Sequence, residues 1–457
     1  MNPDDTSPAA MPLVGRTGEA ALFKNRDKLL STATFLRDAH RLAADLPDAA
    51  HVCNLCQDRY HFVVTLAAAA LRGQVSLLSS DRSPEPLRGL GERFDRVVAV
   101  SDTPVSDTPA ADLPLRHHGV TLSPDPVAGT PANPALPVDR LIAIVFTSGS
   151  TGTPVGHPKT WGALVARSLA AGRRFAMTEA APAGVVGTVP PQHMYGFETT
   201  ILLPLHAAAS IWSGPSFYPA DIHDALHAMP APRLLVTTPL QLRALLEAGP
   251  ALPALAGIIS ATAPLDPGLA AAAERRWEAP VLEIFGATEV GSIASRRTVA
   301  DPGWTLYDGI RLVAGETPQQ VRVTAPHART YPLADIVERV SDGEFRLVGR
   351  SADMVKLGGR RASLAGLNAI LLSLPGVQDG VFVVPDDLDR RPGARLLAFV
   401  VAPERASEDI LAELRRRLEP VFLPRRVIRL AALPRNEAGK LPQAALLGLL
   451  AQNGETA

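Results

Sequence analysis

The sequence predicts an α/β fold: a large N-terminal domain of layered α/β sheets with a small barrel-like β part, followed by a small α+β C-terminal domain. Three observations lead there. From residue 138 onward, runs that are apolar throughout, such as LIAIVF (141–146), VVGTVP, LLVTTP, GIIS and VLEIF, alternate with Leu/Ala-rich helical patterns. Such runs suit strands covered on both faces. Between Gly303 and Phe345 the pattern changes to alternation, as in QVRVTAP, which suits an antiparallel piece. After Arg350 come about a hundred residues with strands (DGVFVV, RLLAFVV) and an amphipathic helix (SEDILAELRRRL), enough for a separate small domain. The predicted boundaries are a disordered start over 1–15, a large domain over 16–349 and a small one over 350–457.

Taken in order, residues 20–46 carry apolar side chains at helical spacing, including Phe35, Ala39, Leu42 and Leu46. His51–Asn54 reads as a short strand, followed by a helix through Val64–Leu71. The Pro-rich stretch SDTPVSDTPAADLP (101–114) reads as a loop. LIAIVF is a buried strand that leads into TSGSTGTP. A helix is expected from near Pro158, with Trp161, Leu164, Val165 and Leu169 on one face.

Composition narrows the function classes. Hydrophobic residues are 46% and charged residues 20%, so a large core is possible and wholesale disorder is not expected. A net charge of −1 provides no global field for nucleic acid or anionic lipid. The run Arg415-Arg416-Arg417 falls within a helical pattern and reads as its solvated face. The start, MNPDDTSPAAMP, lacks a basic n-region and an apolar h-region. The apolar stretch FVVTLAAAAL is shorter than the ~20 residues of a membrane span. The expectation is a soluble, cytoplasmic protein with no membrane insertion and no nucleic-acid partner. Cys53 and Cys56 are spaced C-x-x-C, but no second pair follows, so they read as buried thiols rather than a zinc site.

The loop Thr147, Ser148, Gly149, Ser150, Thr151, Gly152 gathers hydroxyls and backbone N–H groups, with glycines that permit positive φ and close approach. A backbone nest of this kind binds phosphate oxygens. It lacks the G-x-x-x-x-G-K-[ST] spacing of a P-loop and the G-x-S-x-G of a nucleophile elbow. On the loop alone, a phosphate cradle and a plain surface loop both stay open.

Further segments follow in order: VPPQHMYGFE (189–198), SATAPL (260–265), IFGATE (284–289), YPLADIVE with Asp335, GRSADMVKLGGRR (349–361) and LPRNEAGKLP (433–442). With TSGSTGTP, these seven resemble the motifs of the adenylate-forming superfamily, which includes acyl-CoA synthetases, aryl-acid ligases and peptide-synthetase adenylation domains. The matches run from Thr147 to Pro442, roughly the last two-thirds of the chain.

The resemblance implies attack of a substrate carboxylate on the α-phosphate of ATP, giving acyl-AMP and pyrophosphate, then transfer to a thiol. A carboxylate is ionised at neutral pH and needs no general base, so catalysis reduces to positioning and charge neutralisation. By the same resemblance Thr147–Gly152 cradle the β- and γ-phosphates. Thr262 and Ala263 belong to the adenine turn, with Phe285, Gly286 and Ala287 beside the base. Thr288 contacts the α-phosphate. Glu289, with Thr151, holds Mg²⁺. Asp335 and Arg350 take the ribose. His193, Tyr195, Gly196 and Val236 line the acyl site. Ala352 and Asp353 form the hinge of a mobile C-terminal domain, and Lys440 is its catalytic lysine. Gly358 and Gly359 line the thiol channel, with Arg360 and Arg361 beside CoA phosphate or an acidic carrier.

The sequence also departs from the family. The lysine usual after the loop proline is replaced by Val155, and Lys159 is the nearest substitute for its phosphate contact. HMYGFETT has only Glu198 as an acid and lacks the aspartate that holds an α-ammonium in amino-acid-activating relatives. An aryl or fatty acid is therefore expected, with His193, Tyr195 and Phe197 favouring a flat, aromatic one. The acceptor is the thiol of CoA or the phosphopantetheine of an acyl carrier protein; an amine acceptor would keep the same first step. The alternative is a catalytically weak nucleotide-binding module that retains the fold, motivated by Val155 and Ala352.

Overall fold

The computed structural model describes residues 9–26, 28–79, 84–102, 115–122, 132–147, 155–300, 302–315, 320–350, 354–357, 360–384, 395–435 and 441–452. Among them, two large sheets dominate. The larger has 11 strands. Six at its centre run parallel, in the spatial order Val281–Ala287, Gly257–Ser260, Arg233–Thr237, Ala183–Gly187, Ala209–Trp212 and Ala21–Asn25. The smaller has six strands, parallel except for its edge strand Val155–Thr160, which pairs antiparallel with Leu141–Thr147. GIIS over Gly257–Ser260 is buried at every position, as expected of a strand covered on both faces.

One core joins the sheets. Val52 and Val145 from the smaller sheet, and Val185, Ile211 and Val236 from the larger, share a buried cluster with Phe62 and Phe197. The apolar stretch FVVTLAAAAL lies in the helix Arg59–Leu71, which is buried on almost every side and capped by the Asp58 carboxylate. Its continuous hydrophobicity therefore reflects a core position. Among the described residues no helix is long and apolar enough to cross a membrane. Cys53 and Cys56 are buried thiols with no disulfide.

Two elements differ from the sequence expectation. Within 20–46, Ala21–Asn25 and Lys28–Ser31 form an antiparallel hairpin, and the helix begins only at Thr32, where the Ser31 hydroxyl accepts from the Thr34 amide. The apolar residues before Ser31 serve the edge of the larger sheet. Val155–Thr160 is a strand, and the helix starts at Trp161 and runs to Arg174. Pro158 is tolerated on this edge because a proline there removes no ladder bond that a further strand needs.

The alternating segment also folds differently in detail. Gly291–Arg297, Trp304–Leu306, Glu344–Arg350 and Asp335–Arg339 extend the larger sheet antiparallel, and Arg311–Ala314, Val321–Thr324 and Tyr331–Pro332 make a separate three-stranded sheet. Among the described residues these remain open sheets, not a closed barrel. The C-terminal region has its own three-stranded sheet, Asp379–Val383, Leu397–Val401 and Arg426–Arg429. Its two hydrophobic clusters, one around Leu371, Phe382 and Leu414 and one around Phe399 and Leu450, draw only on residues of this region. Arg415, Arg416 and Arg417 end the helix Ser407–Arg417 on its exposed side.

Candidate functional site

Several predicted segments meet at the carboxyl ends of the central parallel strands, where open α/β sheets place ligands. The strand Arg233–Thr237 ends at Thr237, Gly257–Ser260 leads into the 261–265 turn, and Val281–Ala287 leads into Thr288 and Glu289. Across these ends lies Tyr195, whose phenol donates to the carbonyls of Thr237 (3.2 Å) and Ile259 (2.9 Å). Burial pushes that phenol well above the ordinary tyrosine range. Val236, next to Thr237 in the same strand, is buried at 1% exposure.

His193 precedes the single turn Met194–Gly196, which runs into a π-helix, Phe197–Leu202. A β-carbon on Gly196 would stand 2.1 Å from the Pro190 carbonyl oxygen, so this turn requires glycine. Thr199 and Thr200 donate back to the carbonyls of Tyr195 and Gly196 at 2.6 and 2.7 Å, occupying groups that the wider helix frees. Phe197 is fully buried in the core.

The turn after Val281–Ala287 is closed by the Val290 amide donating to the Ala287 carbonyl (3.1 Å), with Thr288 and Glu289 at its tip. Gly286 lies against the following strand; a β-carbon there would meet the Gly291 carbonyl oxygen at 2.6 Å. The Glu289 carboxylate accepts from the Tyr331 hydroxyl at 3.3 Å.

Lys159 approaches this tip from the edge of the other sheet. Its ammonium donates to the carbonyls of Thr288 and Glu289, the latter at 2.9 Å, and it is only 4% exposed. Burial holds its pKa down to about 8, against the pull of Glu198 and Glu289. The lysine expected beside the phosphates therefore faces protein carbonyls, while Val155, in the usual lysine position, is exposed.

Two residues along the same strand, His157 meets the Thr147 hydroxyl at 3.0 Å. Burial lowers its pKa, the Glu289 carboxylate raises it and Lys159 lowers it. Thr147 and Glu289 are thus brought to one locus through His157.

Other predicted residues fall as follows. Thr262 adopts φ +80°, rare for a β-branched residue, and its hydroxyl is buried with no hydrogen-bond partner, beside half-buried Ala263. Phe285 is part of an aromatic cluster. It is 9% exposed and packs against Trp304 and Phe345, at 5.5 and 5.6 Å between ring centres. Asp335 and Arg350 are direct cross-strand partners. Ser148, Gly149, Ser150, Thr151, Gly152, Ala352, Asp353, Gly358, Gly359 and Lys440 lie outside the described residues, as do the side chains of Arg350, Arg360 and Arg361.

The sequence reading missed His157, Ser292 and Arg167. His157 and Lys159 share a face of one strand, a period-two signal hidden by the expectation of a helix. Ser292 donates from its amide (2.9 Å) and hydroxyl (2.6 Å) to Glu198. Arg167, in the helix after Lys159, is buried and adds positive charge near Glu198. No sequence motif marks either residue.

This α/β scaffold, with its loops gathered at the strand ends, is that of an adenylate-forming protein of the acyl-CoA synthetase type. The chain belongs to the AMP-binding enzyme family: residues 18–311 match the AMP-binding enzyme model and 367–440 match the AMP-binding enzyme C-terminal domain. It is 30% identical over 279 residues to a 4-coumarate–CoA ligase of Rhodobacter capsulatus, covering 61% of this chain and 67% of that protein. It is 28% identical over 374 residues to a sulfoacetate–CoA ligase of Cupriavidus necator, covering 73% of this chain and 70% of that protein. Its fold matches the crystal structure of the anthranilate CoA ligase AuaEII in complex with anthranoyl-AMP, with a TM-score of 0.80 at 18% identity, over 98% of this chain and 99% of that one.

Proposed function

We infer that the protein is an ATP-dependent acid–thiol ligase that activates an aryl carboxylic acid and passes it to coenzyme A. The observation that carries this reading is the meeting of Tyr195, Thr147 and the Thr288–Glu289 tip at the ends of the parallel strands. Membership of the AMP-binding enzyme family and the likeness to acid–CoA ligases support it.

In the first step a carboxylate oxygen of the acid bonds to the α-phosphorus of ATP. The bond from that phosphorus to the bridging oxygen breaks, and pyrophosphate leaves with the electron pair. In the second, the thiol sulfur bonds to the acyl carbon, AMP departs as the leaving group, and the thiol proton passes to solvent. The acid brings its own negative charge, so the protein's task is to hold two anions together. Thr288 would contact the α-phosphate, Asp335 with Arg350 the ribose, and Lys440 the oxygens of the reacting centre. The strained Thr262 turn, with its unpartnered hydroxyl, suits a nucleotide edge.

The donors at the tip also suit Mg²⁺. Glu289 offers a half-buried carboxylate, and this ion takes one or two protein carboxylates with substrate phosphates. When bound, Mg²⁺ supplies neutralisation of phosphate charge. Glu198 is the only acid in the HMYGFETT segment; it is buried, with one oxygen taken by Ser292, the other against Gly291, and Lys159 and Arg167 as positive neighbours, which disfavours its holding an α-ammonium. This supports an acid without that group. Tyr195, held at the strand ends by its hydroxyl, supplies an aromatic ring in the proposed acyl segment, which supports an aromatic acid.

ATP–pyrophosphate exchange against hydroxybenzoates, cinnamates, fatty acids and amino acids tests the reading. Exchange is expected with an aryl acid and should fall roughly 10²–10³-fold in Lys440→Ala. Folded protein that binds ATP but exchanges with no acid would instead establish the catalytically weak nucleotide-binding module. Product analysis with CoA and with a phosphopantetheinylated carrier then identifies the acceptor.

A further inference from the structure

The Thr288–Ser292 turn is gripped from two sides by buried charges. On one side the Lys159 ammonium, carried by the smaller sheet, donates to the carbonyls of Thr288 and Glu289. On the other, one oxygen of the Glu198 carboxylate takes both the amide and the hydroxyl of Ser292. Lys159 is 4% and Glu198 7% exposed, and each lies within the other's field, with Arg167 adding positive charge beside Glu198. Gly291 between them adopts φ +94°, and a β-carbon there would lie 2.2 Å from the other Glu198 oxygen.

Pinned carbonyls fix the peptide planes on either side of Glu289. The peptides cannot swing, so the Thr288 and Glu289 side chains are held to one presentation. The buried ammonium is satisfied by those two carbonyls, while the carboxylate takes both Ser292 donors at one oxygen and its other oxygen, against Gly291, has no hydrogen-bond partner among the described residues. Because Lys159 stands on one sheet and the turn on the other, the same contact fixes the phosphate-loop strand relative to the tip.

We propose that Lys159 and Glu198 form a buried clamp that holds the Thr288–Glu289 turn ready for the metal–nucleotide end of the substrate, Lys159 acting as a positioning residue rather than a phosphate ligand. This rests on the reading that the site takes Mg²⁺ and ATP.

The test is calorimetric titration of the full chain with ATP, once with Mg²⁺ and once with a chelator. In Lys159→Met, the gain in ATP affinity that Mg²⁺ confers is expected to shrink at least about tenfold, the scale of lost outer-shell support at metal sites. Metal-free ATP affinity should stay near wild type. Lys159→Arg, whose fork can donate to both carbonyls, should restore most of the gain. Glu198→Gln, which can still accept from Ser292 but carries no charge, should lose part of it. A wild-type Mg²⁺ gain in Lys159→Met would overturn the clamp, and so would equal weakening with and without the metal. If Lys159→Met fails to fold, Glu198→Gln and Lys159→Arg decide: an unchanged gain in Glu198→Gln, or no gain in Lys159→Arg, refutes the proposal. If the wild-type chain binds no ATP at all, the nucleotide reading itself has failed, and the clamp falls with it.

Discussion

His206 illustrates what one buried group does to the pH response. It ends the turn Leu203–His206, packs edge-on against Trp161 at 5.3 Å, and is 8% exposed with its Nε2 unpartnered. Burial lowers its pKa from 6.5 to about 4. Between those values the unfolded chain holds a proton that the folded chain does not, so stability rises with pH across this window and falls as pH drops from 6.5 toward 4. The loss attributable to this residue is about 3 kcal/mol over the window. Denaturant midpoints measured from pH 7 to 4.5 should fall more steeply in the wild type than in His206→Gln. Parallel curves would show that the imidazole is not held neutral. Legibility at this scale is uneven. Thr288 and Glu289 were readable because a short motif fixes their identity. Lys159 was noticed, but its partners are backbone carbonyls 129 and 130 positions away, a pairing that no local pattern encodes. The packing of Phe285 on Trp304 and Phe345 is not legible locally, because these neighbours come from distant strands.

Elements tell a similar story. The strand LIAIVF and the buried strands after it were legible, since unbroken apolar runs of that length have few other homes. The segment Val155–Thr160 was not, because the helical face that begins at Trp161 invites extension backward through a proline. Its correct reading matters, since only a strand places His157 and Lys159 on one side. The π-helix Phe197–Leu202 is also invisible in sequence; Thr199 and Thr200 stabilise it through bonds to carbonyls an ordinary helix would use itself. Tyr195 ties this element to two parallel strands. Tyr195→Phe leaves the Thr237 and Ile259 carbonyls without that donor, at an expected cost of about 1–3 kcal/mol. Urea denaturation checks the stability, and on the proposed function the KM for the acid should rise because the ring loses its anchor on the two strands. Unchanged midpoint and KM together would mean the phenol is a spectator.

At the scale of the whole molecule, the change in pattern after Arg350 predicts a separate C-terminal domain, and the two hydrophobic clusters of that region draw on its residues alone. The small barrel-like part expected between Gly303 and Phe345 consists of antiparallel sheets that stay open among the described residues; alternation along a strand reports two unlike faces and says nothing about whether a sheet's edges meet. A C-terminal region that is a domain of its own should melt separately from the rest. Calorimetry is expected to resolve two transitions, and a nucleotide should shift the first and second by different amounts. A single cooperative transition with coincident probes would show that the C-terminal region does not unfold on its own.

The two thiols offer a practical opening. Cys53 and Cys56 are both at 0% exposure, in and just after the strand His51–Asn54. A thiol-directed dye will not reach them in the folded chain, because modification needs an accessible thiolate. One cysteine introduced on each side of residue 350 can therefore be labelled without removing the native pair, and the distance between the dyes followed through turnover. The native sulfurs will then serve as a built-in alarm: the moment they react, the sample has begun to unfold.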